Sequence, residues 1–161
     1  MKLGFVERRF MPFAKTTEIR DEEGNVRYYL TRDAVCVGFK LHLLDLSGNE
    51  IALIRQKVSL LSNKFTVTMD ERTMLLQLKS NRQDGFFIEI TLNGWRTFGS
   101  LYNGEYALVS DGKAIAEIRK LSHPDGEACE IACRDPEFEA EVLACVIGIE
   151  AALNIGGNDG D

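Results

Sequence analysis

Histidine is scarce in this sequence: His42 and His123 are the only two among 161 residues. A site built on imidazole, for base catalysis or for zinc, has little material here. The common phosphate, cofactor and zinc signatures are missing as well: there is no glycine-rich phosphate loop, no dinucleotide fingerprint and no H-E-x-x-H. Positive charge is not in excess either. Lys and Arg number 19 against 25 Asp and Glu, a net charge of −6, which argues against a general nucleic-acid binder. The opening stretch, MKLGFVERRFMPF, has neither the apolar run nor the small-residue cleavage site of a secretory signal. The expectation is a cytoplasmic chain whose four cysteines, Cys36, Cys129, Cys133 and Cys145, are reduced thiols.

What is present is a hairpin written several times. EIRDEEGNVRYYL from Glu18 and LLDLSGNEIALIR from Leu43 share a short alternating run, an Asp-x-x-Gly-Asn turn and a second β-rich run. Asp21 and Asp45 are 24 residues apart, as are Gly24 and Gly48. Looser copies turn at Asp70 and at Asp111-Gly112, and Asn93-Gly94 is the strongest two-residue hairpin signal between them. Phe65, Val67 and Met69 alternate with Thr66 and Thr68, a half-buried strand pattern. Successive hairpins of this length predict an up-and-down antiparallel meander, which must close or be covered because open edges aggregate.

One segment alone reads as a helix, DPEFEAEVLACVIGIEAALN. Asp135 is a good cap, Pro136 suits the first helical position, and Glu137, Glu139 and Glu141 suit the positive end of the dipole. Val142 to Ile149 carries no charge, but this run between Glu141 and Glu150 is far short of the roughly 20 residues of a membrane span. A helix apolar all round is normally buried all round. From Pro136 to Leu153 it measures roughly 27 Å, near the height of a strand barrel. The reading is a slim helix threaded through a β-barrel as its core.

The order of these pieces resembles the LURP-one-related family, within the tubby C-terminal-like superfamily that also holds the phospholipid scramblases. The resemblance spans Lys15 to Asn154 and is most specific over DLSGNEIALIRQKVSLLSNKF. It implies a mainly β fold, a closed antiparallel barrel of about twelve strands around a buried hydrophobic C-terminal helix. Residues 1–154 are then one domain, and residues 155–161 a disordered, Gly- and Asp-rich tail. The tubby members match in architecture only, so their phosphoinositide-binding positions do not transfer. No counterpart of a scramblase calcium loop is present.

Other candidate chemistry is thin. His42 reads as an ordinary strand residue, and His123, before Pro124, as an exposed turn residue. His123 with Cys129-x3-Cys133 lacks the ligand count and spacing of structural zinc. Asp21, Glu22, Glu23 and Asp45 read as turn residues rather than a calcium site. Cys145 reads as a small hydrophobe, and Trp95 as packing across its strand pair. No catalytic residues, metal or cofactor are predicted. The one organised surface feature is charge. Hairpins start at Lys15, Lys40 and Lys64 and end near Arg32, Arg55, Lys57, Lys79, Arg82, Arg119 and Lys120, whereas the turn tips are acidic. One rim of the barrel is thus expected to be basic. The expected role is a non-enzymatic module at the periphery of a membrane, binding anionic phospholipid or phosphoinositide headgroups through that rim. The alternative is a scaffold for a protein partner with no small ligand.

Overall fold

Two hairpins repeat each other bond for bond. Asp21 N–H donates to Asn25 O at 2.9 Å and Gly24 N–H to Asp21 O at 3.0 Å; Asp45, Asn49 and Gly48 reproduce both bonds at the same lengths. Each aspartate also accepts two backbone amides on Oδ1, from Glu23 and Asn25 or from Ser47 and Asn49. Gly24 and Gly48 close the turns at φ +86° and +85°, a left-handed conformation that suits glycine. The aspartates are occupied with the backbone, as their residue type predicts. These bonds, from Asn49 above all, hold the Asp45 carboxyl below its usual range.

The computed structural model describes residues 2–8, 16–33, 38–58, 63–124 and 126–156. Its strands are β1 (Lys2–Arg8), β2 (Thr16–Asp21), β3 (Val26–Arg32), β4 (Lys40–Leu44), β5 (Glu50–Val58), β6 (Asn63–Met69), β7 (Arg72–Asn81), β8 (Gly85–Ile90), β9 (Arg96–Ser100), β10 (Glu105–Ser110), β11 (Lys113–His123) and β12 (Gly126–Cys133). A 3-10 turn at Pro136–Phe138 leads into the helix α1 (Glu139–Gly156). Every strand lies antiparallel to its chain neighbours, and β1 pairs along its whole length with β12, so the sheet closes into a twelve-stranded barrel. The fold is the one the sequence predicts.

Three local expectations need correction. Asn93-Gly94 is not a two-residue turn: Thr91 to Trp95 all lie between β8 and β9, with Leu92 and Gly94 both at φ 71°. The Asn93 side chain is the reason, since its Oδ1 accepts from Trp95 N–H while its Nδ2 faces Met74 Sδ and Glu141. Trp95 packs edge-on against Phe138, ring centroids 6.0 Å apart, rather than across its strand pair. The α-helix proper begins at Glu139, because Asp135 caps a 3-10 turn and accepts from Glu137 N–H at 3.0 Å. At its other end the helix runs on through Gly156; the rest of the expected tail, residues 157–161, lies outside the described residues.

The core follows from the alternation. Leu41, Leu43, Ile54, Val67, Met74, Leu108 and Ile131 point inward from the strands and are essentially inaccessible. They meet Val142, Leu143, Val146, Ile147 and Ile149 of α1, all completely buried, each such side chain stabilising by roughly 1.5–3 kcal/mol. Gly148 lets the helix approach Leu76, Val67 and Ile54.

Antiparallel order puts the hairpin turns and the N-terminus of α1 at one rim and the other strand connections at the opposite rim. Two seams interrupt the ladder. β1 and β2 share two paired positions, Leu3–Asp21 and Gly4–Arg20, and β8 and β9 share one, Glu89–Arg96. At the second seam a side chain replaces the ladder: the Thr97 hydroxyl accepts from Ile88 N–H at 2.9 Å. The seams divide the barrel into a seven-stranded sheet, β2 to β8, and a five-stranded sheet, β9 to β12 with β1.

Candidate functional site

The ten basic residues of the predicted rim separate into distinct groups. Lys40, Arg55, Lys57 and Lys64 come together on the outer wall of β4, β5 and β6. Lys40 is registered directly opposite Arg55, and Lys57 directly opposite Lys64. Arg55 and Lys57, two apart on one strand, face the same side at roughly 7 Å spacing. Arg55, Lys57 and Lys64 are exposed and form no ion pair among the described residues, while Lys40 lies 3.8 Å from Asp33. Lys79 and Arg82 belong to the adjacent β7–β8 hairpin; Lys79 bonds Glu89 at 2.6 Å, and Arg82 is exposed at the hairpin tip. Arg32 stacks its guanidinium 5.0 Å above the Phe39 ring. Arg119 stands apart on β11 with Glu105 and Glu130 as its cross-strand neighbours. Lys15 lies outside the described residues.

Lys120 is the clear exception. It shares the inward face of β11 with buried Ala116 and Ile118, and its side chain turns into the barrel. There its ammonium is the ion-pair partner of Glu150 on α1, whose side chain is fully buried. The other Glu150 oxygen accepts from the Tyr106 hydroxyl at 2.7 Å. Gly104 makes room for the lysine stem: a Cβ there would lie 2.7 Å from Lys120 Cβ. Lys120 therefore fastens the helix to the five-stranded sheet and does not belong to a ligand-facing rim.

A second buried carboxylate fastens the opposite end of α1. Glu139 accepts from the Tyr28 hydroxyl at 2.8 Å and from Arg27 at 3.2 Å, both on β3. The two fastenings are about 16 Å apart along the helix axis. Burial, then the bond to Glu139, pushes the Tyr28 phenol up from 10.0 to about 12. The folded state prefers the neutral phenol, so this stabilisation is complete below pH ~10 and is lost as pH rises toward 12. The difference between alkaline absorbance titrations of the wild type and Tyr28→Phe is accordingly expected to have its midpoint near 12; a midpoint near 10 would mean that the phenol is solvated.

The remaining sequence candidates take structural places. His42 lies in β4, its Nε2 3.0 Å from Asp33 Oδ1 and its Nδ1 against Glu50. His123 ends β11 rather than occupying a turn. Cys129, Cys133 and Cys145 are buried, and burial pushes the Cys145 thiol well above its usual range. Among the described residues no three His, Cys, Asp or Glu side chains gather as a metal site, and no helix is long and apolar enough to cross a membrane. Two features escaped the sequence reading. One is the pair of buried glutamates; the other is an exposed apolar group, Leu78, Phe86 and Tyr102, at the rim that carries the cations. Neither carries a local signal, since burial of a helix end and overshoot of a hairpin are set by the assembled barrel.

A solved X-ray structure of a protein from Arabidopsis thaliana superposes on this chain with a TM-score of 0.60, covering 95% of this chain and 91% of that one at 17% identity. At that identity the likeness concerns the fold alone. No curated protein matches the chain in sequence. A model of the LURP-one-related family matches residues 3–147, from the first strand into the central helix. With its closed twelve-stranded barrel around a C-terminal helix, the chain belongs to the LURP-one-related family.

Proposed function

We propose that this chain is a non-enzymatic module that docks on anionic phospholipid at the periphery of a membrane through Lys40, Arg55, Lys57 and Lys64. The observation that carries the reading is the register of the charges. Lys57 faces Lys64 and Lys40 faces Arg55, and like charges directly opposite in a sheet oppose folding by a few tenths to about 1 kcal/mol per pair. Asp33 lies 3.8 Å from Lys40, whereas Arg55, Lys57 and Lys64 form no ion pair among the described residues, so three charges on this face are left for an external anion to neutralise. The interior, where a catalytic cavity would otherwise lie, is filled by α1, which favours a binding surface over an enzyme.

The test is one substitution read in two ways. Lys64→Glu places a carboxylate opposite Lys57 and changes the face by two charges, so at about 1 kcal/mol per charge partitioning to phosphatidylserine-containing vesicles should fall roughly thirtyfold. Thermal stability should stay level or rise, because a repulsive pair becomes attractive. Binding by the wild type should require anionic lipid and weaken with salt. Unchanged vesicle binding by the variant would remove the basic face from the function. Absence of binding by the wild type would leave a protein partner as the better assignment.

A further inference from the structure

The apolar inner stripe of β7 and β8 does not stop where the core stops. It runs Met74, Leu76, Leu78 on one strand and Ile90, Ile88, Phe86 on the other, with Leu76 opposite Ile90 and Leu78 opposite Ile88. Met74, Leu76, Ile88 and Ile90 are at most 6% exposed, but Leu78 is 55% and Phe86 53% exposed. The hairpin overshoots the rim and carries core-type side chains into solvent. Tyr102, 62% exposed in the β9–β10 connection, packs edge-on against Phe86 with ring centroids 5.8 Å apart. Single exposed apolar residues mean little, whereas a contiguous group at one edge marks a contact surface.

The charges around this lip indicate what covers it. Arg82 is exposed at the tip of the same hairpin, whose Lys79 and Asp84 are paired with Glu89 and Arg96, and Lys57 and Lys64 lie on the two strands that precede it around the barrel. An apolar tip beside cations, with a tyrosine hydroxyl at its margin, matches the interface of an anionic bilayer. There aromatic rings sit at headgroup level and basic groups meet phosphate. We infer that Leu78, Phe86 and Tyr102 form a wedge that enters the interfacial layer of an anionic phospholipid membrane when the basic face docks. This rests on the lipid-docking reading and adds to it a second, apolar attachment that salt does not screen.

The experiment is vesicle flotation of the full chain on phosphatidylcholine with and without phosphatidylserine, at low and high salt. The wild type should keep a salt-resistant fraction on anionic vesicles. Leu78→Ser/Phe86→Ser, both at exposed positions and expected to fold normally, should bind at least roughly tenfold more weakly at low salt and lose that fraction. In parallel, Phe86→Trp should give emission that moves to the blue and is quenched by brominated lipid, while the buried Trp95 of the wild type stays unquenched. If the serine variant binds like the wild type while Lys64→Glu does not, the wedge is wrong and the basic face stands. If the wild type binds no vesicle, both fail. If the serine substitutions abolish self-association measured by sedimentation and leave vesicle binding unchanged, the lip is a contact between copies of the chain and the membrane assignment is overturned.

Discussion

Lys120→Met should destabilise the protein by about 3–5 kcal/mol, the usual consequence of removing one member of a buried ion pair. The size of the effect comes from what is left behind. Glu150 is completely enclosed, and one of its oxygens has the Lys120 ammonium as its ion-pair partner. Methionine fills much of the lysine stem's volume beside Gly104 but supplies no charge. The loss is therefore electrostatic rather than a packing defect. Tyr106→Phe, which removes the hydroxyl bond to the other oxygen, should cost only about 1–3 kcal/mol. Converting the whole cluster, Lys120→Met with Glu150→Met and Tyr106→Phe, should recover most of the loss, because no buried polar group is then left unmatched. Chemical denaturation of the single and triple variants decides it. A Lys120→Met cost below about 1 kcal/mol would show a water-exposed lysine with no structural duty.

Gly148→Leu should be comparably damaging, for the opposite reason. A Cβ at position 148 would already lie 3.0 Å from Leu76 Cδ2 and 3.1 Å from Val67 Cγ2, with Ile54 Cγ2 at 3.8 Å. Those neighbours sit in a packed wall, and three further carbons have nowhere to go unless the helix leaves its axis. Overpacking of this kind costs about 3 kcal/mol. Gly148→Ala is the informative control. The methyl group must displace its neighbours by only a few tenths of an ångström, and replacing a mid-helix glycine returns about 1 kcal/mol, so the net change should lie within about 1 kcal/mol of zero. If leucine were tolerated as well as alanine, the contact of α1 with β6 and β7 would have to be looser than the distances indicate.

The parts of this fold legible in the sequence are those fixed by local chemistry. Asp21-x-x-Gly24-Asn25 and Asp45-x-x-Gly48-Asn49 specify their turns through bonds that span four residues. The apolar circumference of Val142 to Ile149 specifies burial whichever way the helix faces. Position along each hairpin places the cations toward one rim but does not say which face of its strand each one occupies. Counting by twos from Ala116 and Ile118 puts Lys120 on the inward face, so its role was within reach of the alternation alone. The Lys57–Lys64 pairing depends on the register of β5 with β6, which has no turn signature to fix it, and the Lys40–Arg55 pairing lies beyond a register shift between Leu43 and Leu44 that the turn residues do not announce. Leu78 and Phe86 follow core alternation faithfully. Their exposure depends on where the rest of the barrel ends, a global quantity with no signature in their own segment.

Placing the core on the last described element of the chain has a consequence for how the protein is made. All twelve strands precede α1 in chain order, so a ribosome delivers the wall before the object it encloses. Until the residues after Cys133 emerge, Leu41, Ile54, Val67, Met74 and their neighbours have nothing to close around. The closing ladder, residues 2–8 against 126–133, likewise joins segments made far apart in time, and such non-local pairing is slow. The nascent chain is thus a ribbon of apolar-faced hairpins waiting for its centre, the state in which strand edges find the wrong partners. Productive folding of this barrel is in that sense a late event, timed by translation of its helix.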